Sequence, residues 1–384
     1  MGEPKRRRKE KLVERGRVEV DLSAIRHNAS EIKRQIGRAK LLAAVKGDGY
    51  GHGLVPSAKA ALEGGADFLG VATLEEAARL REAGIDAPVL MLSTILPEEA
   101  QEAIRLDVRV TVCSIPTLMA LNEAAGRLGT KARVHLKVDT GMGRLGVMPE
   151  RAVEYVKMAK SLKNIEVEGI STHFPSADEE DRSFTERQIG AFKGVLSSLE
   201  AEGIRPPMAH ASNSAATVAF PEARFDMVRC GLLIYGIWPI PGKEKRWDLK
   251  PAMRVVSRLL LVKEIPPGWP VSYGRRFVAE RPTKVGVVPV GYHDGIDSRL
   301  SGKGWVIVKG KRVPIIGRVC MDHFMVDLTG VEGIGEGEEV VILGGSGGEA
   351  VTAEEIAGWL GSVPQEFTSR VGGRMRRVYI GGKE

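Results

Sequence analysis

Lys46 closes the apolar run of LLAAVKGDGYGHG, residues 41–53, and a glycine-rich turn carrying Tyr50 follows at once. A short apolar run cut off by Gly47 and Gly49 reads as a strand buried on both faces, with the lysine at its lip. Partial desolvation and neighbouring cations there would keep an amine nucleophilic enough to form a Schiff base with a carbonyl compound. The plainer alternative is a solvated strand end. Arg229 ends another apolar run, FDMVRCG, where an unpaired charge is costly. It could face a ligand or sit in a buried salt bridge. Gly231 and Leu232 behind it can present backbone N–H groups as an anion nest, and Ser214 in ASNSAAT opens a helix. With the Tyr50 hydroxyl they make a phosphate cradle. Arg144 lies in VDTGMGRLG, where flanking glycines could aim it at a carboxylate or leave it on the surface. His173, at the end of IEVEGISTHF, reads by itself as a core histidine.

So many polar groups at strand ends call for a scaffold that turns those ends towards one cavity, and eight strand–helix units mean a closed barrel more readily than an open sheet. From Lys40 to about Gly236 eight short apolar runs alternate with stretches of helical period: LLAAVK, FLGVAT, PVLMLS, VRVTVCS, RVHLKVD, IEVEGISTHF, MAHAS and FDMVRCG. This alternation predicts a (β/α)8 TIM barrel, with its chemistry at the C-terminal ends of the strands. After about Gly242 come β-type runs between Pro/Gly turns, and one short helix, TAEEIAGWLG, whose Thr352 and Glu355 have capping-box spacing. The chain therefore divides into a basic tail (1–16, expected to be disordered), a barrel (17–242) and a mostly antiparallel β domain (243–384). GGSGGEA, residues 344–350, reads as a surface turn, because no GK[ST] follows it.

Composition narrows the class further. Residues 1–17 hold eight Lys and Arg against three Glu, about +5 of the formal +7, so the remaining body is near neutral and unsuited to nucleic acid. No apolar stretch approaches the roughly 18 residues of a membrane span, and no apolar segment follows the basic start as in a secretory signal. Cys113, Cys230 and Cys320 are odd in number and scattered, which argues for a reducing, cytoplasmic setting and against disulfides or a metal site.

Eight motifs in order resemble the alanine racemases, which are pyridoxal 5'-phosphate (PLP) enzymes built of a barrel and a β domain: AVKGDGYGHG, KVDTGMGRLG, STHF, HASNSAAT, MVRCGLLIYG, VSYGRRF, VGYHDGIDSRL and GRVCMDH. The resemblance spans about residues 17–380. It implies that Lys46 carries the cofactor and is one catalytic base, and that Tyr273 is the other. Tyr50, Ser214, Gly231 and Leu232 would hold the phosphate, Arg229 the pyridine nitrogen, and His173 would link Arg229 to the tyrosine. Arg144 and the Met321 backbone N–H would bind the substrate carboxylate, with Asp322 and Tyr292 in support. Tyr292, Arg299, Arg318 and Asp178 match an entryway. Lys137 matches a lysine that is carbamylated in some members.

The implied activity is interconversion of L- and D-alanine, supplying D-alanine for peptidoglycan, by a homodimer in which each Tyr273 turn enters the partner's barrel. Racemisation needs an acid/base group on each face of a planar intermediate. The alternatives are a racemase of broader specificity, acting on serine or larger substrates, and a non-catalytic PLP carrier. A PLP decarboxylase would place an acid where Arg229 stands. Three departures from the pattern carry expectations: Gly47 and Gly49 replace alanines and should loosen the lysine loop, His323 stands where glutamine is common, and Gly373 stands where some members carry a pocket-narrowing tyrosine, which would leave a roomier pocket.

Overall fold

A computed structural model describes residues 14–243 and 245–382. Most of the basic stretch, residues 1–13, lies outside the described residues. Among the described residues no helix is long and apolar enough to cross a membrane.

Eight strands close into a parallel barrel: β1 (Lys40–Ala44), β2 (Phe68–Val71), β3 (Val89–Met91), β4 (Val108–Val112), β5 (Ala132–Lys137), β6 (Ile165–Ser171), β7 (Met208–His210) and β8 (Met227–Cys230). These are the eight runs expected from the sequence. Closure comes from β8 pairing back on β1, with Leu41 opposite Val228 and Leu42 opposite Arg229. Every residue of β2, β3, β4 and β8 is buried, which explains why they read as unbroken apolar runs rather than as alternating ones. Leu42, Ala44, Phe68, Leu90, Met208 and Met227 pack together as one cluster of the core. Gly70 makes that packing fit, since a Cβ there would lie 2.6 Å from a Leu42 methyl.

The intervening helices begin where their caps dictate. Thr73 accepts from the Glu76 N–H and starts Leu74–Glu82; Ser114 accepts from the Thr117 N–H, and Pro116 sits in the first turn of Ile115–Arg127. The barrel unit runs from Val20 to Met253 and includes Pro364–Ser369. Its end lies beyond the expected residue 242 because Asn28 binds both backbone groups of Lys250, each at 2.8 Å, and the Asp21 N–H donates to the Ala252 carbonyl at 2.8 Å.

The second unit, Arg254–Val363 with Arg370–Val378 and residues 14–19, is a sheet. Its strands run in the order Leu261–Ile265, Thr283–Val288, Phe324–Asp327, Lys311–Ile316, Trp305–Val308, Glu339–Ser346, Met253–Arg258, Gly16–Asp21 and Arg376–Ile380. Antiparallel pairing runs from Leu261–Ile265 through to Met253–Arg258. The tight hairpin Trp305–Val308/Lys311–Ile316 turns through Lys309 and Gly310, both at positive φ (49° and 71°). GGSGGEA is likewise a hairpin turn, with Gly347 and Gly348 left-handed.

The capping box is present: Glu355 N–H donates to Thr352 Oγ1 at 3.1 Å and Thr352 N–H to Glu355 Oε2 at 2.9 Å. Two features lay outside the sequence reading, the strand Gly16–Asp21 and a second short helix, Pro364–Arg370. Residues 14–16, read as part of the tail, are held here: Ser257 Oγ donates to the Arg15 carbonyl at 2.6 Å, and Glu14 pairs with Arg376 at 3.5 Å.

Candidate active site

Lys46 follows β1 on a turn of unusual hand. Gly47, Asp48, Gly49 and Tyr50 are all left-handed, with φ of 62°, 52°, 65° and 53°. Each non-glycine residue there costs about 1–2 kcal/mol, so the two glycines halve the strain of the turn. Far from loosening the loop, they suit a tightly held one: Glu76 accepts from the Gly47 and Ala72 N–H groups at 2.7 and 2.8 Å, and Asp48 accepts from the Leu54 N–H at 3.1 Å. Gly47→Ala meets open space but keeps the positive φ. It is therefore expected to lower stability by about 1 to 2 kcal/mol with the fold intact, as urea unfolding would show. Burial first, and then the charge of Arg144, hold the Lys46 amine below its ordinary value.

Tyr50 packs its ring 5.3 Å from that of Tyr235, and its hydroxyl lies over Gly231, where a Cβ would come within 2.5 Å of it. Gly231 is required by that approach. Burial raises the Tyr50 phenol to about 12, so it stays a hydrogen-bond donor at neutral pH. Ser214 Oγ accepts from the Gly231 N–H at 3.0 Å and the Leu233 N–H at 3.4 Å, and Leu232 opens the 3-10 turn Leu232–Tyr235. Hydroxyls and backbone donors are thus gathered where the sequence reading put a phosphate cradle.

Arg229 on β8 is buried, and its partners are imidazoles and carbonyls rather than a carboxylate. It donates to the Thr172 and Ala211 carbonyls at 2.8 Å each, to His173 Nδ1 at 3.1 Å and to His210 Nδ1 at 2.8 Å. A guanidinium has no lone pair to give, so His173 Nδ1 accepts and its N–H sits on Nε2. Burial, followed by the charges of Arg229, Lys137, Arg144 and Lys46, pushes His173 down to about 2, so its ring is neutral. His210 was missed in the sequence, because a histidine in MAHAS has no local mark that separates it from core. Lys137 ends β5, and burial followed by Arg229 and Arg144 brings its amine down to about 7. Arg144 itself is exposed, on a loop folded around Asp139 Oδ1, which accepts from the N–H groups of Gly141, Met142 and Gly143 at 2.8–3.1 Å. Cys230 is fully buried, and that burial raises its thiol to about 12, so it is no nucleophile. Among the described residues no group of three or more His, Cys, Asp or Glu could hold a metal ion.

The sheet unit carries the other candidates. Tyr273 is 70% exposed at the tip of a turn in which Ser272 and Arg275 are left-handed. The strained Ser272 is pinned by its hydroxyl, which donates to the Arg318 carbonyl at 2.7 Å and lies 3.3 Å from Cys320 Sγ. Beside it a cavity of about 560 Å3 is lined by Trp269, Val271, Tyr273, Cys320, His323 and Met325. Met321 is half exposed, and its carbonyl accepts from the His293 N–H at 3.2 Å, next to the turn Tyr292–Asp294.

Arg374 ties this region together. It grips buried Asp294 at 2.9 and 2.8 Å and Asp322 at 2.7 Å. Burial raises the Asp294 carboxyl, but the Arg374 bonds, with the Gly291 N–H, outweigh that and hold it below the ordinary aspartate value. The stabilisation is therefore complete above the ordinary carboxyl range and lost as pH falls through the lowered value. Arg374→Met is expected to lower the urea midpoint at neutral pH, with the deficit narrowing below about pH 4.

Gly373 is left-handed at φ 48°, and a Cβ there would lie 2.5 Å from the His293 carbonyl, so the glycine serves the turn that delivers Arg374. Arg299, expected at an entryway, is paired with Asp297 at 2.7 Å.

Two domain families match this chain, "Alanine racemase, N-terminal domain" over residues 20–239 and "Alanine racemase, C-terminal domain" over residues 252–379. It is 44% identical over 369 residues to "Alanine racemase 2" of Caldanaerobacter subterraneus subsp. tengcongensis, covering 95% of this chain and 94% of that one. Among solved structures it is similar to the alanine racemase of D-cycloserine-producing Streptomyces lavendulae, with a TM-score of 0.92, 40% identity and coverage of 97% and 99%. The alanine racemase of E. faecalis gives a TM-score of 0.89, 39% identity and coverage of 96% and 99%.

Proposed function

This chain belongs to the alanine racemase family, and we propose that it interconverts L- and D-alanine with PLP, using Lys46 and Tyr273 as the two bases. The observation that carries the reading is the setting of Lys46: an amine on a tightly held left-handed turn, kept below its ordinary value by burial and Arg144. Its surroundings suit PLP. The amine fits a carbonyl, the hydroxyls of Tyr50 and Ser214 with the Gly231 and Leu232 backbone fit a phosphate, and Arg229 fits a ring nitrogen. When bound, the cofactor would supply an aldehyde carbonyl to amines and a conjugated ring able to spread negative charge.

The residues of this chain would then divide the remaining work. Lys46 holds or removes the proton on one face, and Tyr273 of the partner subunit does so on the other. His173, neutral with its N–H on Nε2, is a donor suited to stabilising a phenolate oxygen. Arg144 and the Met321 N–H would bind the carboxylate, with Asp322 and Tyr292 supporting that loop. Arg229, whose guanidinium burial lowers only to about 10, stays charged at neutral pH and so meets a ring nitrogen as a donor without surrendering its proton. That restraint favours return of the proton to the α-carbon over transfer elsewhere. At about 7 the Lys137 amine is in good part uncharged at neutral pH and can add CO2, releasing a proton and leaving a carbamate anion between Arg144 and Arg229.

The exposed Tyr273, Trp269 and Met321 support a homodimer that covers them. In this reading the dimer works in the cytoplasm and its D-alanine feeds peptidoglycan. The test is incubation of the PLP-loaded protein with L-alanine in heavy water, followed by NMR and chiral analysis. The expected result is exchange of the α-hydrogen together with D-alanine. Reaction of serine or lysine but not alanine would favour the broad-specificity reading, and PLP binding without any reaction the carrier.

A further inference from the structure

Beyond Arg229 a chain of buried polar groups runs across three barrel strands. His210 Nε2 on β7 lies 2.8 Å from His135 Nδ1 on β5, and His135 Nε2 lies 2.9 Å from Glu168 Oε2 on β6. The two imidazoles are 1% and 0% exposed. The space is built for them: a Cβ at Gly169 would come 2.3 Å from His135 Nδ1, and the β5–β6 register shifts between Val134 and His135. Arg109 stands behind the carboxylate, with Nε 3.5 Å from Glu168 Oε2.

Donor counting gives this chain a direction. Arg229 can only donate, so His210 Nδ1 must accept from it. Burial, reinforced by the cations Arg229, Lys137 and Arg109 and opposed at His135 by Glu168, holds both imidazoles neutral, and a neutral imidazole carries one N–H. His210 therefore donates from Nε2 to His135 Nδ1, and His135 donates from Nε2 to Glu168. Every bond points from Arg229 towards the carboxylate. Reversing either ring would set two N–H groups face to face.

We propose that Glu168 is a positioning residue: as the terminal acceptor it locks the tautomers of His135 and His210 and thereby keeps an acceptor in place for Arg229. Its bearing on catalysis rests on the reading that Arg229 faces the ring nitrogen of PLP. Glu168→Leu removes the acceptor and strands the His135 Nε2–H, which can be relieved only by reversing the chain at the expense of the Arg229 bond, whereas Glu168→Gln can still accept through its oxygen and should keep the direction. Glu166, two residues earlier on the exposed side of β6, is the control.

The experiment is NMR of 15N-histidine-labelled protein, with and without PLP, for the wild type, Glu168→Leu, Glu168→Gln and Glu166→Gln. The wild type, Glu168→Gln and Glu166→Gln should show His135 and His210 protonated on Nε2, and Glu168→Leu should show a mixture of tautomers at both rings. In the PLP-loaded protein, Glu168→Leu should also shift the visible absorption of the cofactor and lower kcat about tenfold, the worth of one hydrogen bond, with KM for alanine unchanged and the loss rescued in Glu168→Gln. Unaltered tautomers in Glu168→Leu would overturn the proposal, as would a wild-type His210 protonated on Nδ1, a result that needs no variant. Altered tautomers with an unaltered spectrum would overturn its catalytic half. Should the wild type bind no PLP, the functional reading fails, and the tautomer measurement still decides whether Glu168 is the lock.

Discussion

Lys46→Ala will slow alanine racemisation by about a thousandfold or more and will abolish exchange of the α-hydrogen in heavy water. The size of the effect follows from two roles resting on one amine, covalent attachment to a carbonyl and proton transfer on one face. Arginine is no substitute: its guanidinium stays charged where Lys46 is held below its ordinary value by burial and Arg144. Lys46→Arg should therefore be as inactive as Lys46→Ala, although it keeps the charge. Added methylamine should partly restore Lys46→Ala and leave Lys46→Arg inactive, because only the truncated side chain leaves room for an amine. Kinetics with visible spectroscopy check both variants, with and without the amine. Substantial racemisation by either variant without added amine would remove Lys46 from the chemistry.

The same lysine shows what a sequence exposes of a structure. The barrel strands are legible because β2, β3, β4 and β8 are buried along their whole length and the others nearly so, and burial on both faces calls for largely apolar runs, a constraint written in consecutive residues. Gly16–Asp21 was not, since a six-residue strand with alternating charge finds its reason only in its partners Met253–Arg258 and Arg376–Ile380, far along the chain. Site residues divide in the same way. Lys46, Ser214 and Arg229 stand at motif positions beside glycines or strand ends, where local pattern marks them. His135, His210 and Glu168 carry no such mark: the two histidines are 75 residues apart, and what unites them is the curvature of the barrel. Glycine was the most readily misjudged residue. At 47 and 49 its absence of a side chain suggested looseness, whereas the backbone there is left-handed; at 373 the backbone is left-handed too and packed against a carbonyl. Composition records that a glycine is present; only φ and the neighbouring atoms say what it is for.

Tyr273→Phe should be nearly as inactive as Lys46→Ala, with a loss of about 10^2 to 10^4 in kcat, and the two together test more than either alone. Tyr273 is 70% exposed on its own subunit, far more than a group working in a closed site of that subunit would be. The reading that it serves the partner's barrel makes a quantitative forecast. When purified Lys46→Ala and Tyr273→Phe proteins are mixed and allowed to exchange subunits, about half of the dimers become mixed. In a mixed dimer, the barrel of the Tyr273→Phe subunit keeps its own Lys46 and receives an intact Tyr273 from the other subunit, while the second barrel lacks both. About a quarter of all sites, and hence of wild-type activity, should return from two inactive proteins. If Tyr273 instead acted within its own subunit, every site in the mixture would still lack one base and no activity would return. The double variant mixed with wild type completes the argument. Each mixed dimer then holds two barrels lacking one base apiece, so activity should fall below that of the undiluted wild-type sites, which is the opposite direction from the first mixture and cannot be produced by stabilisation on pairing.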